Sequence, residues 1–500
     1  MRNSDAIDPT DDLDDLETLE PLISDLDQSS SLATYFERGL AGRRRKAAMA
    51  ITTVWAITIG LHLVSWGIWV VCALTAVVGI HSLRLLCARP SDTPDPIPDD
   101  EAADYPYVSI MVSAKNEEAV VEPLVQALCS LDYPSDRYDL WMIDDDSSDR
   151  TPELLDQLAL QYEQLNVIHR PANAGGGKSG ALNQVYPLVK GDIIAVFDAD
   201  AHVPKDLLRR VLPIFDRDQV GAVQVRKAVL QGNPNYRPRP RNFWISGQVA
   251  EMALDSYFQQ QRIAIGGIGE LRGNGQFVRR GALDHCGGWN EQTITDDLDL
   301  TLRLHLDRWD IDFLTVPAVE EEGVTRAIAL WHQRNRWAEG GYQRYLDYWR
   351  LIIRNRLGFR KTADLFIFWL MQYLLPTAAV PDTMMAIARS TPPLLSPMTG
   401  LTLMLSMIGM VVGLRRVHRS EYLVREAVLG AERSHTPRST LPLWRAMIQS
   451  IRGTVYMLHW LVVVASTTAR ISVRPKRLKW VKTMHQGNNP VWIDAPEQSG

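Results

Sequence analysis

Cysteine is scarce in this chain. Cys72, Cys87, Cys129 and Cys286 are scattered among 500 positions with no C-x-x-C spacing. That excludes a disulfide framework and a thiolate zinc site, and it suits a reducing compartment. A cleavable leader is not expected either: the first residues are acidic and no apolar run follows them closely. A complete ATP-binding loop is also missing. The stretch "NAGGGKSGALN", Asn173–Asn183, runs three glycines into Lys178 and Ser179. The pattern G-x-x-x-x-G-K-[ST], however, needs a glycine where Ala172 stands. What remains is a glycine turn with one cation able to reach a phosphate.

Charge is present but segregated. Much of the formal net charge of -6 comes from Asp5, Asp8, Asp11, Asp12, Asp14, Asp15, Glu17, Glu20, Asp25 and Asp27. With few aromatics, residues 1–41 read as a disordered acidic tail, and the rest of the chain is slightly basic. No nucleic-acid partner is expected.

The apolar residues are segregated too. Ala47–Val64 and Trp66–Leu83 contain no Asp, Glu, Lys or Arg. Each is long enough to cross a hydrocarbon layer of roughly 30 Å. "GRRRK" precedes them and Arg84 and Arg89 follow, so residues 42–89 are expected to form an in-out-in hairpin in the lipid bilayer. A proline-rich linker over 90–104 then delivers the next domain to the cytoplasmic side. Near the other end lie Leu365–Val380, interrupted by Gln372 and Pro376, then Leu394–Leu414, and Gly453–Thr468 with His459 inside it. Basic segments follow Leu414 and form the tail over 471–500, and one span between them cannot put both inside. The expected total is therefore four or five spans, with residues 363–470 forming transmembrane or interfacial helices.

Between these regions strands and helices alternate. "YVSIMVSA", "DLWMIDDD", "LNVIHR" and "GDIIAVFDAD" are short apolar or β-branched runs. Helical stretches such as "EEAVVEPLVQALCSL" and "TPELLDQLALQYEQL" separate them. The pattern predicts an α/β domain over 105–340 with a doubly wound, mostly parallel sheet, inserted between transmembrane helices. Ligands in such sheets bind at the carboxyl ends of the strands, where the acidic clusters fall. Asp144, Asp145 and Asp146 close one strand, and Asp198 and Asp200 close another. Some of these and their serine neighbours serve as turns and caps. Three adjacent carboxylates nevertheless repel one another unless donors or cations meet them. Carboxylates in this arrangement can hold Mg2+ or Mn2+, which in turn binds nucleotide phosphates.

Two later stretches narrow the chemistry. "TITDDLDLTLRL" sets Thr295, Asp296 and Asp297 before a leucine-rich helix, where capping accounts for part of the pattern. "QRNRW" joins Gln333, Arg334 and Arg336 to Trp337, a grouping suited to phosphates and sugar faces. "GGYQRYLDYWRLIIRNRLGFR" follows, and residues 341–362 read as an amphipathic helix at the membrane interface.

Taken in order, "VSIMVSAKNEE", "IDDDSSDRT", "GGGKSGALN", "FDADA", "GNGQFVRRGALDHCGGWNE", "TDDLDL" and "QRNRW" resemble the inverting family 2 glycosyltransferases of GT-A fold, the superfamily of cellulose and hyaluronan synthases. The resemblance implies that Asp145 (or Asp144) contacts uracil, that Lys178 and Asp198 lie at the nucleotide sugar, and that Asp200, with Asp198, holds Mg2+ or Mn2+. It implies further that Asp297 is the general base and that Asp296, Gln333, Arg336 and Trp337 form the diphosphate and acceptor site. The family's T-E-D triplet reads Thr295, Asp296, Asp297 here, which puts only the middle residue's role in question.

"GRRRKAAMAITTVWAITIGLHLVSWG" and "KWVKTMHQGN" bear a narrower resemblance to cyanobacterial glucosyltransferases that make β-monoglucosyldiacylglycerol. That resemblance implies UDP-glucose as donor, diacylglycerol as acceptor, and a thylakoid or plasma membrane location. A processive polysaccharide synthase of the same family is the alternative, and an inactive sugar-nucleotide-binding protein a more distant one. No motif distinguishes a glucose from a galactose donor or fixes the oligomeric state.

Overall fold

A computed structural model describes residues 42–98, 106–232, 242–429 and 440–473. The expected acidic tail, the end of the linker and the basic tail beyond residue 473 lie outside the described residues.

The centre of the chain is a seven-stranded sheet of order β3-β2-β1-β4-β6-β5-β7. Its strands are β1 (Val108–Ala114), β2 (Tyr138–Asp144), β3 (Leu165–His169), β4 (Ile193–Asp198), β5 (Val220–Val229), β6 (Gln276–Arg279) and β7 (Asp310–Glu321). β1 to β4 pair in parallel, as the sequence predicts. β6 runs antiparallel between β4 and β5, and β5 pairs in parallel with β7. The sheet is therefore mixed, with one reversed strand in a mostly parallel array.

The first strands are nearly continuous apolar runs because helices cover both of their faces. Ile110, Val112, Leu140 and Phe197 enter one core with Leu124, Leu128, Leu155 and Leu208. Met111, Ile143, Ile194 and Val196 enter the other with Leu182, Val185, Leu300 and Leu304. Neighbours such as Ile110 and Met111 thus face opposite ways, following the strand's period of two. Phe197 on β4 meets Phe277 on β6 edge-on, with ring centroids 5.8 Å apart. Truncating either ring to alanine would cost about 3–5 kcal/mol through the void left behind.

Among the described residues, five helices are long and apolar enough to cross a membrane: Arg43–Leu63, Gly67–Cys87, Phe359–Arg389, Ser396–Leu423 and Leu443–Val473. They cover all five apolar runs of the sequence. The third contains a π turn over Leu370–Leu374, and the fifth comprises two helices, Leu443–Met457 and His459–Val473. Large apolar side chains such as Trp69, Ile80, Leu83, Ile387 and Val462 remain exposed on them. Apolar surface on that scale suits contact with lipid.

The α/β domain is fastened to these helices at several points. Arg43 grips the buried Asp347 carboxylate with two bonds, of 2.8 and 2.5 Å. Arg226 on β5 reaches Glu421 at 2.5 Å. The linker is pinned where Ile97 and Arg209 exchange bonds of 3.0 and 2.9 Å. A 22-residue helix, Phe243–Ala264, packs between the sheet and the membrane helices. The segment read as starting an interfacial helix at residue 341 belongs to one continuous helix, Ala327–Ile353, which also carries "QRNRW". No proline separates the two stretches, and the turns continue through Gly340 and Gly341. Tyr342, Tyr348 and Leu351 pack that helix into the protein, while Ile328, Trp331, Trp349 and Ile353 remain exposed.

Candidate active site

The three aspartates at the end of β2 each meet a different basic side chain. Asp144 is buried and accepts from Ser147 N at 3.2 Å, with His169 Nδ1 3.0 Å from its other oxygen. Asp145 is held by Arg170, and Asp146 lies 3.7 Å from Lys115. Their mutual repulsion is relieved in this way. The serines and threonine that follow knit the turn: Asn116 N donates to Ser147 Oγ at 2.8 Å and Glu117 N to Thr151 Oγ1 at 2.8 Å. Of the three aspartates, only Asp145 lines the large cavity at the carboxyl ends of β1, β2 and β4.

The glycine turn shapes the adjacent wall. Gly175, Gly176 and Gly177 have φ of 65, 71 and 54°, the left-handed region that glycine enters without strain. A β-carbon on Gly176 would lie 2.6 Å from Glu291 Oε2. Arg170 donates to Gly175 O at 2.7 Å, so one guanidinium fixes both this turn and Asp145. The turn leads into the helix Gly177–Val185, whose first residues present Lys178 to Asp198 Oδ1 at 2.5 Å. Burial works against the Lys178 charge, but Asp198, Asp296 and Asp297 outweigh it and raise its pKa. Lys178 is a permanent cation in the cavity. Ser179 is buried in the same wall.

The helix Asp296–Leu306 supplies the remaining acids. Thr295 stands at its N-cap but makes no side-chain capping bond there, contrary to the simplest reading of the sequence. Its side chain packs onto Gly340 instead. Asp297 Oδ1 accepts from Leu298 N at 2.8 Å. Desolvation, followed by the neighbouring Asp296 charge, raises the Asp297 pKa to about 6 against the opposing pull of Leu298 N, Lys227 and Lys178. A carboxylate of that pKa is poised to take a proton near neutrality. Asp296 also lines the cavity, and its Oδ2 is buried without a hydrogen-bond partner. Asp299 in the same run is structural, bonded to Arg303 at 2.7 Å and Tyr348 at 2.7 Å.

"QRNRW" divides between two tasks. Gln333, Arg336 and Trp337 line the cavity, and burial lowers the Arg336 pKa. Arg334 is fully buried, pairs with Glu251, bonds Tyr456 OH at 3.0 Å and stacks 4.0 Å from the Trp337 ring centroid. Trp460 Nε1 donates to the same Glu251 at 2.8 Å, so the last membrane helix helps set the tryptophan. Lys227, bonded to Glu321 at 2.8 Å, lies 5.7 Å from the Trp337 ring centroid. Sequence reasoning missed Lys227, Glu251 and Tyr456, because none belongs to a motif and each arrives by tertiary pairing.

Asp145, Lys178, Asp198, Asp200, Asp296, Asp297, Gln333, Arg336 and Trp337 therefore converge on one cavity of about 1050 Å³. The residues present fit a hard divalent cation. Asp198 and Asp200 share one wall beside Glu321 and Glu322, and carboxylate oxygens are the donors Mg2+ and Mn2+ prefer. Among the described residues no three His, Cys, Asp or Glu side chains gather into a complete metal cage. Further ligands would have to come from phosphate oxygens and water, the usual arrangement for Mg2+ at a nucleotide.

The fold and the acid-lined cavity define a membrane-associated glycosyltransferase of GT-A fold. Residues 106–340 match the family described as "Glycosyltransferase like family 2", and the chain belongs to that family. It is 58% identical over 447 residues to the β-monoglucosyldiacylglycerol synthase of Trichormus variabilis, covering 89% of this chain and 90% of that one. It is 56% identical over 451 residues to the synthase of the same name from a Synechocystis strain, covering 90% of each chain. Among solved structures, a mannosyltransferase of Pyrobaculum calidifontis in complex with GDP-Man and Mn2+ shares the fold. It superposes with a TM-score of 0.50 at 19% identity, covering 83% of this chain and 99% of that one.

Proposed function

We propose that this glycosyltransferase moves glucose from UDP-glucose to the free hydroxyl of 1,2-diacylglycerol with inversion, giving β-monoglucosyldiacylglycerol. The observation that carries the reading is the shape of the cavity. Its polar end holds Asp145, Lys178, Asp198 and Asp297. Its other end runs between membrane helices along Leu85, Phe258, Phe368, Met371, Leu403 and Leu461. Asp297 thus shares one cavity with cations suited to a diphosphate and with apolar side chains suited to acyl chains.

In this reading Asp145 meets the base, and Lys178 and Arg336 supply positive charge to the diphosphate. Asp200 and Asp198 would hold the Mg2+ or Mn2+ ion, which neutralises phosphate charge as the leaving group departs. Asp297 takes the proton from the acceptor hydroxyl as its oxygen bonds to the anomeric carbon. A single displacement on an α-linked donor sugar leaves a β-linked product. The five apolar helices would span the bilayer with the catalytic domain on the cytoplasmic face.

The test offers purified protein a panel of labelled UDP-glucose, UDP-galactose and GDP-mannose with diacylglycerol, ceramide or no lipid. A single labelled lipid carrying one glucose is expected only with UDP-glucose and diacylglycerol. Polymer formed without lipid would favour a processive synthase instead.

A further inference from the structure

We propose that Arg272 reads an ester carbonyl of the acceptor lipid and makes the enzyme selective for ester-linked over ether-linked glycerolipids. This rests on the acceptor reading above. Arg272 lines the same cavity. Its neighbour Gly273 sits against the base: a β-carbon there would be 3.5 Å from Asp297 Oδ2. On the apolar side, the Phe368 ring of the cavity lining lies 4.3 Å from Arg262 and 5.9 Å from Arg344, the two arginines that share Glu270 with Arg272. The ester groups of a diacylglycerol occupy the same intermediate position, a few bonds from the reacting hydroxyl and directly before the acyl chains.

The charges around Arg272 specify what kind of group it can receive. Its Nη2 is 2.6 Å from Asp255 and 2.8 Å from Glu270. Glu270 is shared with Arg344 at 2.7 Å and Arg262 at 3.5 Å, and Arg262 also holds Asp364 at 2.9 Å. His81 completes the group, 3.2 Å from Asp364. Three guanidiniums thus face three carboxylates, so the cluster as a whole attracts no anion. Hydrogen-bonding capacity is left over. A guanidinium carries five N–H donors; Arg272 spends Nη2 on the two carboxylates and buries Nε without a partner, which leaves its Nη1 end for a ligand. Arg272 also keeps 25% of its side chain exposed, where Arg262 and Arg344 keep 4% and 3%. An uncharged oxygen acceptor matches this arrangement, and an ester carbonyl is one. An ether-linked lipid keeps only the bridging oxygen and has no acceptor at the carbonyl position.

The experiment compares 1,2-diacylglycerol with the 1,2-dialkylglycerol of equal chain length, at equal mole fraction in mixed micelles, for the wild type and Arg272→Met. The wild type is expected to prefer the diester by about tenfold or more in kcat/KM, the worth of one hydrogen bond to a charged donor. In Arg272→Met the ratio should fall to near one, with UDP affinity retained. Arg272→Lys keeps the charge without the planar fork and reads the same ratio should the methionine variant not fold. Equal use of both lipids by the wild type would overturn the proposal. So would a variant in which both rates fall together with the ratio intact, because that marks a purely structural arginine. If neither glycerolipid is glycosylated while another lipid is, the acceptor reading itself fails.

Discussion

Thr295 occupies the space where a side chain at residue 340 would begin. A β-carbon on Gly340 would lie 2.1 Å from Thr295 Oγ1, and one on Gly341 would lie 1.9 Å from Tyr373 OH. Gly340 therefore lets the helix that carries Trp337 press against the turn that presents Asp296 and Asp297, and Gly341 lets it pass Tyr373 of the third membrane helix. Glycine costs a helix interior about 1 kcal/mol relative to alanine, so propensity alone favours replacing it. Gly340→Ala is expected to do the reverse. It should push Thr295 and the acids behind it, lowering kcat by tenfold or more with a smaller change in UDP affinity. A variant more stable than wild type and fully active would show that the contact does not position the site.

The Asp297 pKa of about 6 sets a pH dependence. The base works ionised, so activity should be full above the pKa and fall as pH drops through about 6. The neighbouring Asp296 charge helps raise that pKa. Asp296→Asn should therefore move the acid limb of kcat/KM to lower pH, whatever it does to the maximum rate. An acid limb unmoved in Asp296→Asn would indicate that a different group is titrating.

Lys178 and Ser179 are adjacent but should behave differently. Lys178 pairs with Asp198 in the cavity, and Ser179 is packed within the wall. Lys178→Ala should weaken UDP binding clearly, since a charge-assisted contact contributes about 1.5–3 kcal/mol. Ser179→Ala should be mild. Calorimetric titration of UDP against both variants, with ATP as control, decides the matter. Tight ATP binding that collapses in Ser179→Ala would return the loop to the ATPase class.

Removing divalent metal should abolish transfer, and Mg2+ or Mn2+ should restore it. Asp200→Ala should copy the chelated enzyme and also lose the Mn2+ signal that UDP brings to the wild type in paramagnetic resonance. Full turnover in EDTA would leave Lys178 and Arg336 as the cations of the leaving group.

The parallel half of the sheet was legible because each of β1 to β4 is a compact apolar run, and β2 and β4 end on carboxylates. β5 and β7 were harder to read. β5 is interrupted by Arg226 and Lys227, β7 by Asp312 and two terminal glutamates, and their pairing carries register shifts. β6 has only four residues, too few for a period to register. The family, the narrower relation to β-monoglucosyldiacylglycerol synthases and the five apolar helices all followed from linear motifs and runs. What joins them did not. Glu251, Arg334, Tyr456 and Trp460 are far apart in sequence, and only the folded chain shows that they brace Trp337. Asp144 and Asp145 looked equivalent as letters. One is turned to His169 and buried, and the other faces the cavity.

The account rests on Asp297 acting as the base in the cavity that nucleotide and lipid share, and Asp297→Asn tests that most directly. The amide is nearly isosteric, can still accept from Leu298 N, and cannot take the hydroxyl proton. Single-turnover transfer from labelled UDP-glucose to diacylglycerol should fall by ~10²–10⁴-fold while the UDP dissociation constant stays close to wild type. Transfer at near-normal rate in Asp297→Asn would make this carboxylate a helix-terminal residue and contradict the mechanism.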